Sequence, residues 1–175
     1  MLRFIGVLLT LAGAAPATAQ DFGGYAGLSV GYSFLQAEDG DGLATDISAL
    51  LGVRFTPEVS LEAELKRSGS FIAVSSEGLS DFETTNLTIF GRYTIDPDAS
   101  GLFVRGGIST ISIEQTEMHD TKEETGTGFA FGAGMQFEPI DHFYVRPEIT
   151  IYQYPDVASG SATFGEISIG AGVSF

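Results

Sequence analysis

The sequence predicts an all-β protein, an eight-stranded antiparallel up-and-down transmembrane β-barrel. Three observations predict this fold class. Segments of about ten residues alternate apolar with small or polar residues, which is the period of β-strands. One face of every segment carries essentially no charge. The connections between segments are alternately long and short, as the outer loops and inner turns of membrane barrels are.

The N-terminal segment 1–19 is predicted to be a secretory signal peptide. A positive charge at Arg3 precedes an apolar run to Ala12 and a small-residue cleavage site ending at Ala19. The apolar run is about half the roughly 20 residues of a membrane-spanning helix, which argues against an N-terminal anchor. We therefore expect an exported outer-membrane β-barrel domain over 20–175.

The composition restricts the partners that this chain can have. It contains no cysteine, so no disulfide stabilises the exported domain. The formal net charge is −15. We do not expect nucleic acid as a partner, because binding phosphates requires a basic face. Divalent cations or basic partners suit this charge better.

The first four predicted strands each have one clean apolar face. They run over 25–35, 43–55, 59–67 and 82–93. The residues of these apolar faces are, in chain order, Ala26, Leu28, Val30, Tyr32 and Phe34; Ile47, Ala49, Leu51, Val53 and Phe55; Val59, Leu61, Ala63 and Leu65; and Leu87, Ile89 and Tyr93. The intervening positions are mainly small, polar or charged.

The last four predicted strands follow the same rule. They run over 102–113, 128–137, 143–152 and 164–175. Their apolar faces consist of Leu102, Val104 and Ile108; Phe129, Phe131, Ala133, Met135 and Phe137; Phe143, Val145, Ile149 and Ile151; and Ile167, Ile169, Ala171, Val173 and Phe175.

The fifth strand departs from the rule at its end. Ile111 and Ile113 fall on the polar face of this strand. A β-bulge near Ser109 and Thr110 would return them to the apolar face. Alternatively, the strand rises beyond the membrane at this point.

The connections are predicted to place both chain ends on one side of the membrane. Short connections follow strands two, four and six, at 56–58, 96–101 and 138–141. Long ones follow the odd-numbered strands, at about 36–42, 68–81, 114–127 and 153–163. Short turns of membrane barrels face the periplasm, so both ends are expected there.

The charged residues of the strands decide between a membrane and a soluble barrel. Charges share the polar face, and an eight-stranded interior is just wide enough to be filled by side chains. Lipid then covers the apolar face, where a charge would cost roughly 2–4 kcal/mol. We predict an interior charge network of Asp46, Arg54, Glu62, Glu64, Lys66, Arg92, Arg105, Arg146, Glu148 and Glu166. It forms either a solid plug, which we favour, or a gate for small ions or water.

Aromatic residues near the strand ends favour the membrane barrel as well. On the apolar faces, an aromatic girdle near the periplasmic ends is predicted from Phe55, Tyr93, Phe137 and Phe143, together with Phe175. Tyr32, Phe34 and Phe129 lie near the opposite ends. Girdles at both interfaces are typical of such barrels. The alternative is ordinary core packing in a soluble sandwich.

Three segments resemble a known family. The C-terminal strand, with Ile167, Ile169, Ala171, Val173 and Phe175 at alternate positions, resembles the assembly signal of outer-membrane proteins. The segment 25–32 resembles the first strand of OmpA-like and opacity-type small barrels. Tyr144 with the segment 146–148 resembles their penultimate strand. The resemblance implies insertion by the outer-membrane assembly machinery. Because the chain stops at the barrel, no wall-anchoring domain is expected.

Few residues are candidates for ligand binding or catalysis. Glu38, Asp39 and Asp41 are weak candidates for a divalent-cation site that bridges to lipopolysaccharide phosphates, and a solvated acidic loop is the simpler interpretation. His119 and His142 are the only histidines, and neither lies in a His-x-Ser arrangement. We therefore expect no catalytic residue and no cofactor.

The sequence thus predicts a non-enzymatic outer-membrane barrel that supports envelope integrity and surface interaction through acidic extracellular loops. The expected partners are outer-membrane lipid, lipopolysaccharide, the assembly machinery and divalent cations. A narrow channel for small ions or solutes is the alternative, and a lipid A-modifying enzyme is a weaker one.

Overall fold

The chain folds into nine strands and no helix among the residues that the structure describes. The computed structural model describes residues 23–37, 40–75, 78–97, 101–117, 120–157 and 160–175. The strands are β1 (Gly23–Ala37), β2 (Gly40–Arg54), β3 (Val59–Ser75), β4 (Gly78–Thr94), β5 (Leu102–Glu117), β6 (Asp120–Met135), β7 (Phe137–Ile140), β8 (Phe143–Val157) and β9 (Gly160–Ser174). The predicted signal peptide and the candidates Glu38, Asp39 and His119 lie outside the described residues.

Eight long strands close into an antiparallel up-and-down barrel, which confirms the predicted fold class. Neighbours in sequence pair throughout β1 to β6, and β1 also pairs with β9. The circle is completed because β6 pairs with β8. The four-residue β7 continues β6 after Gln136 and pairs with β8. Over residues 129–134 of β6, the pairing with β8 closes the wall, as a wall surrounded by hydrocarbon requires.

The last residue fastens the closing seam between β1 and β9. Tyr25 lies opposite Ser174, and the pairing continues without a shift to Ala37 opposite Ala162. The amide of Gly24 donates to the carbonyl of Phe175 at 2.7 Å, and the amide of Phe175 donates back to Gly24 at the same distance. The final strand is therefore hydrogen-bonded to its last residue.

We call the end with the chain termini and the short connections the turn end. Its connections occupy 55–58, 95–101 and 136–142. Thr56 shapes the first by accepting the amide of Val59 at 3.1 Å. Gly101 ends the second with φ +56°, a conformation that favours glycine, and its amide donates to Asp96. Short connections with such turn chemistry keep this end compact.

The opposite end, which we call the hairpin end, corrects the predicted long loops. Strand pairing continues to Ala37 opposite Gly40 and to Ser75 opposite Gly78. It also continues to Glu117 opposite Asp120. Most residues assigned to the long connections are therefore strand, and the strands reach 15–17 residues. Crossing the hydrocarbon needs only about 9–11, so these hairpins extend well beyond it.

Two irregularities lie in the extended hairpins. The pairing of β3 with β4 shifts between Ser68 and Phe71, and its pairing with β2 shifts between Ser68 and Ile72, so β3 contains one extra residue. The pairing of β8 with β9 shifts between Tyr154 and Val157, a stretch that contains Pro155. Proline lacks an amide proton, so an irregularity of this kind accommodates it.

The wall of the barrel is apolar outside and polar inside over its membrane-spanning half. Large apolar side chains such as Leu28, Ile108 and Ile169 are exposed on the outer surface, while serine, threonine and charged side chains are buried inside. No helix among the described residues is long and apolar enough to cross a membrane.

Ile111 corrects one predicted detail of the fifth strand. The register of β4 with β5 runs unbroken from Phe82 to Thr94, so the proposed bulge near Ser109 and Thr110 is wrong. Ile111 points inward and is fully buried. It belongs to an apolar cluster formed by Ala44, Phe90, Ile111, Ala130, Tyr152, Tyr154, Val157 and Phe164. The interior thus becomes apolar toward the hairpin end.

Candidate functional site

Glu62 lies at the centre of the interior charge network. Its carboxylate accepts two hydrogen bonds from Arg146, at 2.7 and 3.0 Å. Arg92 and Arg105 reach the same group at 3.3 and 3.4 Å. Tyr25 donates its hydroxyl proton to it at 2.6 Å. Three guanidinium groups around one buried carboxylate leave a positive excess that neighbouring acids must balance.

Glu64 and Glu148 supply this balancing charge. Arg105 donates to Glu64 at 2.8 Å and also contacts Glu148 through Nε. Arg146 donates to Glu148 at 2.9 Å, and Thr150 donates to it at 2.7 Å. The strands β3, β5 and β8 contribute these residues, so the contacts join opposite walls of the barrel.

A second ion pair lies nearer the hairpin end. Lys66 donates to Glu166 at 2.7 Å, and both side chains are only 2% exposed. Tyr152 donates its hydroxyl proton toward both Glu64 and Glu166, at 3.0 and 3.1 Å. Its ring also packs against the ammonium of Lys66, 3.7 Å from the ring centroid. Tyr152 therefore connects this pair to the central network.

Eight of the ten residues predicted for the network are thus brought together. The other two are placed differently. Asp46 is buried, but the hydrogen bond to its carboxylate comes from Ser33 at 2.7 Å, and its Oδ1 has no hydrogen-bond partner among the described residues. Arg54 lies at the turn-end rim, where it is about one-third exposed and 4.0 Å from Glu138.

Aromatic residues of the interior were absent from the predicted network. Phe103 lies between two cations, with the guanidinium carbons of Arg92 and Arg146 each 4.2 Å from its ring centroid. Phe90 packs against Arg105 at 3.8 Å. Such contacts stabilise a cation that is removed from water. The alternating pattern of the sequence could have placed them inside, because both phenylalanines occupy the polar face of their strands.

Glycines make room for the interior tyrosines. A methyl group at Gly52 would overlap the ring of Tyr25 on the neighbouring strand, and one at Gly27 would overlap the hydroxyl of Tyr144. The ring of Tyr25 meets that of Tyr144 edge to face, with 6.1 Å between centroids. Small residues on the polar face therefore leave room for large side chains from nearby strands.

The central interior has little free volume. A cavity of about 20 Å³ lies between Tyr144, Glu64 and the small residues of β1 and β9. This volume is enough for roughly one water molecule. Above it, the apolar cluster around Ile111 closes the hairpin end. The charge network and the apolar cluster together fill the centre and the hairpin end of the lumen.

The turn end contains a much larger cavity, which we call the vestibule. Its volume is about 550 Å³, and it is lined by Arg54, Pro57, Ser60, Arg92, Thr94, Pro97, Gly101, Gln136, Phe137, Glu138 and Pro139. Each of the three short connections contributes a proline to this lining. Arg92 links the vestibule to the central network through its contact with Glu62.

The outer surface places the predicted girdle residues outward near the turn end. Phe55, Tyr93, Phe137 and Phe143 are all exposed there, as is Phe175. Toward the hairpin end, the apolar band of β3 ends at Leu65. It is followed by Arg67, which donates to Glu83 at 2.6 Å on the outer surface. Because charge facing hydrocarbon is costly, this exposed ion pair marks the limit of the band.

Of the candidate metal-binding residues and histidines, Asp41 and His142 lie among the described residues. No group of three or more potential metal ligands occurs among them. Asp41 lies in β2, but its companions Glu38 and Asp39 are not described. His142 lies in the last turn, where its Nδ1 is 3.1 Å from the carbonyl of Ser174. It therefore joins the turn before β8 to the end of β9.

The comparisons with known proteins agree with this geometry. The model of a family described as "Outer membrane protein beta-barrel domain" matches residues 5–175. No curated protein sequence matches the chain. The neisserial surface protein NspA is similar in structure, with a TM-score of 0.76 at 14% identity, covering 87% of this chain and 97% of that one.

Two further solved structures share the fold. Ail, the attachment invasion locus protein of Yersinia pestis, has a TM-score of 0.61 at 18% identity, covering 87% of this chain and 99% of that one. The N-terminal β-barrel domain of OprF from Pseudomonas aeruginosa has a TM-score of 0.53 at 13% identity, covering 85% and 97%. At these identities the likeness concerns the fold alone.

Proposed function

The chain belongs to the outer membrane protein β-barrel domain family, and we propose that it is a non-enzymatic barrel that supports envelope integrity and meets the cell's surroundings through its hairpins. The observation that carries this proposal is the filled lumen. A side-chain network from five strands crosses the interior, and the apolar cluster lies above it. Such an interior suits a rigid structural element.

A narrow channel is the alternative function, and the same interior argues against it. Lys66 and Glu62 are at most 2% exposed, and eight strands leave little space beyond their side chains. In planar bilayers, we expect the purified barrel to give no stable open-channel current. Reproducible ohmic steps would overturn the structural role and restore the channel.

The extended hairpins support a role in surface interaction. Eleven acidic residues and a single basic residue, Lys122, occur in the segments 36–42, 68–81, 114–127 and 153–163. Ail has been crystallised in complex with a heparin analogue, sucrose octasulfate. The acidic hairpins of this chain would repel such a polyanion, so we propose basic partners or cation-bridged lipopolysaccharide instead.

Vesicles containing lipopolysaccharide test this preference. With the barrel folded in phospholipid bicelles, magnesium is expected to promote association with the vesicles, and heparin is not expected to bind. Binding to heparin without magnesium would contradict the proposed preference.

For envelope integrity, a deletion strain should become more sensitive to detergent, and unchanged sensitivity would count against that role.

A lipid-modifying activity has less support. Of the two histidines, His142 lies at the turn end, away from the outer leaflet where a lipid A substrate would be. Incubation with lipopolysaccharide is expected to release no fatty acid. Release above that of a heat-denatured sample would establish an enzyme.

A further inference from the structure

The buried charges of the barrel interior do not balance. Among the described residues, the acidic side chains that are at most 6% exposed are Asp46, Glu62, Glu64, Glu148 and Glu166. The basic side chains buried to the same degree are Lys66, Arg92, Arg105 and Arg146. Arg54 lies at the rim beside Glu138 and is not one of them. An uncompensated buried charge is costly, and such a group commonly becomes neutral instead. One buried acid is therefore expected to hold a proton.

The contacts of these acids single out Asp46. The other four each have a basic group within 2.9 Å. Asp46 forms no ion pair with any residue that the structure describes, and its one hydrogen bond within this part of the chain joins Oδ2 to Oγ of Ser33 at 2.7 Å. An ionised carboxylate has about four lone-pair sites for hydrogen bonds, whereas a protonated group also donates. A single contact with a hydroxyl group, which can accept, fits the protonated form.

The two strands beside Asp46 bring no free cation to it. On β1, Gly31 lies opposite Asp46, and Ser33 is the next residue along the polar face. A methyl group at Gly31 would lie 2.8 Å from Oδ1 of Asp46, so this oxygen packs against the glycine backbone. On β3, Ser68 lies opposite Asp46, and Lys66 is the next residue along the polar face. Lys66 is thus the one basic group on these strands that could balance Asp46.

Lys66 already has a partner, and the other charges near Asp46 are negative. The ammonium of Lys66 donates to Glu166 at 2.7 Å and packs on the ring of Tyr152. Glu166 lies opposite Ser33 on the far side of β1. The charged groups that act on Asp46 are Lys66, Glu64 and Glu166. Two negative charges against one positive charge disfavour a further negative charge on Asp46.

We infer that Asp46 is the proton-binding site of the interior. It is uncharged in the folded barrel in a mildly acidic medium and releases its proton to water as the medium becomes alkaline. The proton lies in the contact between Oδ2 and Ser33, where the protonated carboxyl group donates to Oγ. With this proton in place, the remaining acidic and basic charges of the interior are equal in number. Ionisation makes Asp46 compete with Glu166 for Lys66, so alkaline pH acts on this ion pair.

Infrared spectroscopy of the barrel folded in lipid vesicles tests the inference. The carbonyl stretch of a protonated carboxyl group has a higher frequency than the bands of ionised carboxylates and backbone amides. At about pH 6 the exposed carboxyl groups are ionised, since their pKa values lie at roughly 4. We expect a band of one protonated carboxyl group in the unmodified barrel and its loss in alkaline medium. This pH series uses the unmodified protein, so it does not depend on whether a variant folds.

Asp46→Asn assigns the band to this residue. The variant is expected to lack the band, whereas the matched control Glu83→Gln, which changes an exposed acid, keeps it. Absence of the band from the unmodified barrel would overturn the inference. Persistence of the band in Asp46→Asn would also overturn it, because the proton would then lie on another acid.

Unfolding gives a second measurement. The folded barrel holds a proton that the unfolded chain releases, so its stability falls as the pH rises through the ionisation of Asp46. In denaturant titrations, the unfolding midpoint of the unmodified barrel and of Glu83→Gln should fall from mildly acidic to alkaline medium. Asp46→Asn should lack this part of the fall, because an amide does not ionise. An equal pH dependence of all three proteins would contradict the inference.

Discussion

Glu62 shows how a single residue can organise the interior of a small barrel. It is almost completely buried, and its two oxygens meet three guanidinium groups and one phenol. Ionic contacts of this kind are stable only when every member has a partner. Removing the charge of Glu62 should therefore lower the free energy of unfolding more than removing a charge at the edge of the network.

Replacing this carboxylate by an amide, Glu62→Gln, is expected to lower the free energy of unfolding by about 3–5 kcal/mol, because buried guanidinium groups lose their counter-charge. Denaturant titration of the folded barrel in lipid vesicles measures the change. The matched control is Glu83→Gln, which removes an exposed ion pair and should alter stability little. Equal effects of the two variants would mean that the network does not stabilise the barrel.

The fit between Gly52 and Tyr25 gives a second residue-scale prediction. Gly52→Ala places a methyl group in the ring of Tyr25 and should destabilise the barrel by about 1–3 kcal/mol, as overpacking does. Gly91→Ala is the control, since its nearest contact would be an ordinary 3.9 Å. The same denaturant titration applies, and an unchanged midpoint for Gly52→Ala would contradict the close fit.

Alternation in the sequence predicts the side of the wall on which a residue lies, but not its depth or its partner. Lys66 and Glu166 were assigned to the interior on this basis, and there they form an ion pair. Arg54 shares their face yet lies at the rim, and Asp46 bonds to Ser33 instead of a cation. Partners across the lumen depend on strand tilt and register, which no local pattern contains.

At the scale of the strand, the hairpin ends were the least predictable part of the fold. Their serine, glycine and acidic residues are typical of loops, and this composition led to the long connections. Adjacent strands nevertheless continue to pair there, since each added pair satisfies backbone groups. The prediction that a bulge turns Ile111 outward was wrong for a related reason. Facing lipid favours apolar residues only inside the membrane, and beyond it the interior becomes the apolar side.

The final strand gives the prediction for this scale. Deleting Phe175 removes both backbone hydrogen bonds to Gly24 and one aromatic residue at the interface. We expect that a smaller share of the protein in isolated outer membranes is folded. Gel electrophoresis of unboiled samples measures this share. Phe55→Ala is the control, because it removes an exposed aromatic side chain at the turn end while keeping the seam. Normal insertion of the deletion variant would contradict an assembly role.

The whole molecule combines two opposite arrangements of polarity along one set of strands. The half near the turn end is apolar outside and charged inside, as lipid requires. Toward the hairpin end, the inside holds Ile111, Tyr154 and Phe164, as in a water-soluble protein. The ion pair of Arg67 and Glu83 lies on the outer surface near the change. The strands run from one half into the other, and the pairs of β6 with β8 that close the circle lie at residues 129–134 of β6.

Closure of the whole barrel predicts resistance to detergent. An unboiled sample in dodecyl sulfate should migrate differently from a boiled one, because the closed ladder has no edge at which unfolding begins easily. Gel electrophoresis of samples heated to a series of temperatures gives the temperature at which the barrel unfolds. A soluble product whose migration never changes on boiling would contradict the membrane barrel.

The acidic hairpins also have a consequence for how long the protein stays where it is inserted. To leave the bilayer, each hairpin would have to carry its carboxylates back through the hydrocarbon, where a single charge costs roughly 2–4 kcal/mol near the centre. Glu83, Glu114 and Glu124 lie on three different strands, so these costs accumulate when the strands move together. The barrier to leaving the bilayer is thus high, and escape is slow even where the folded state is only moderately stable.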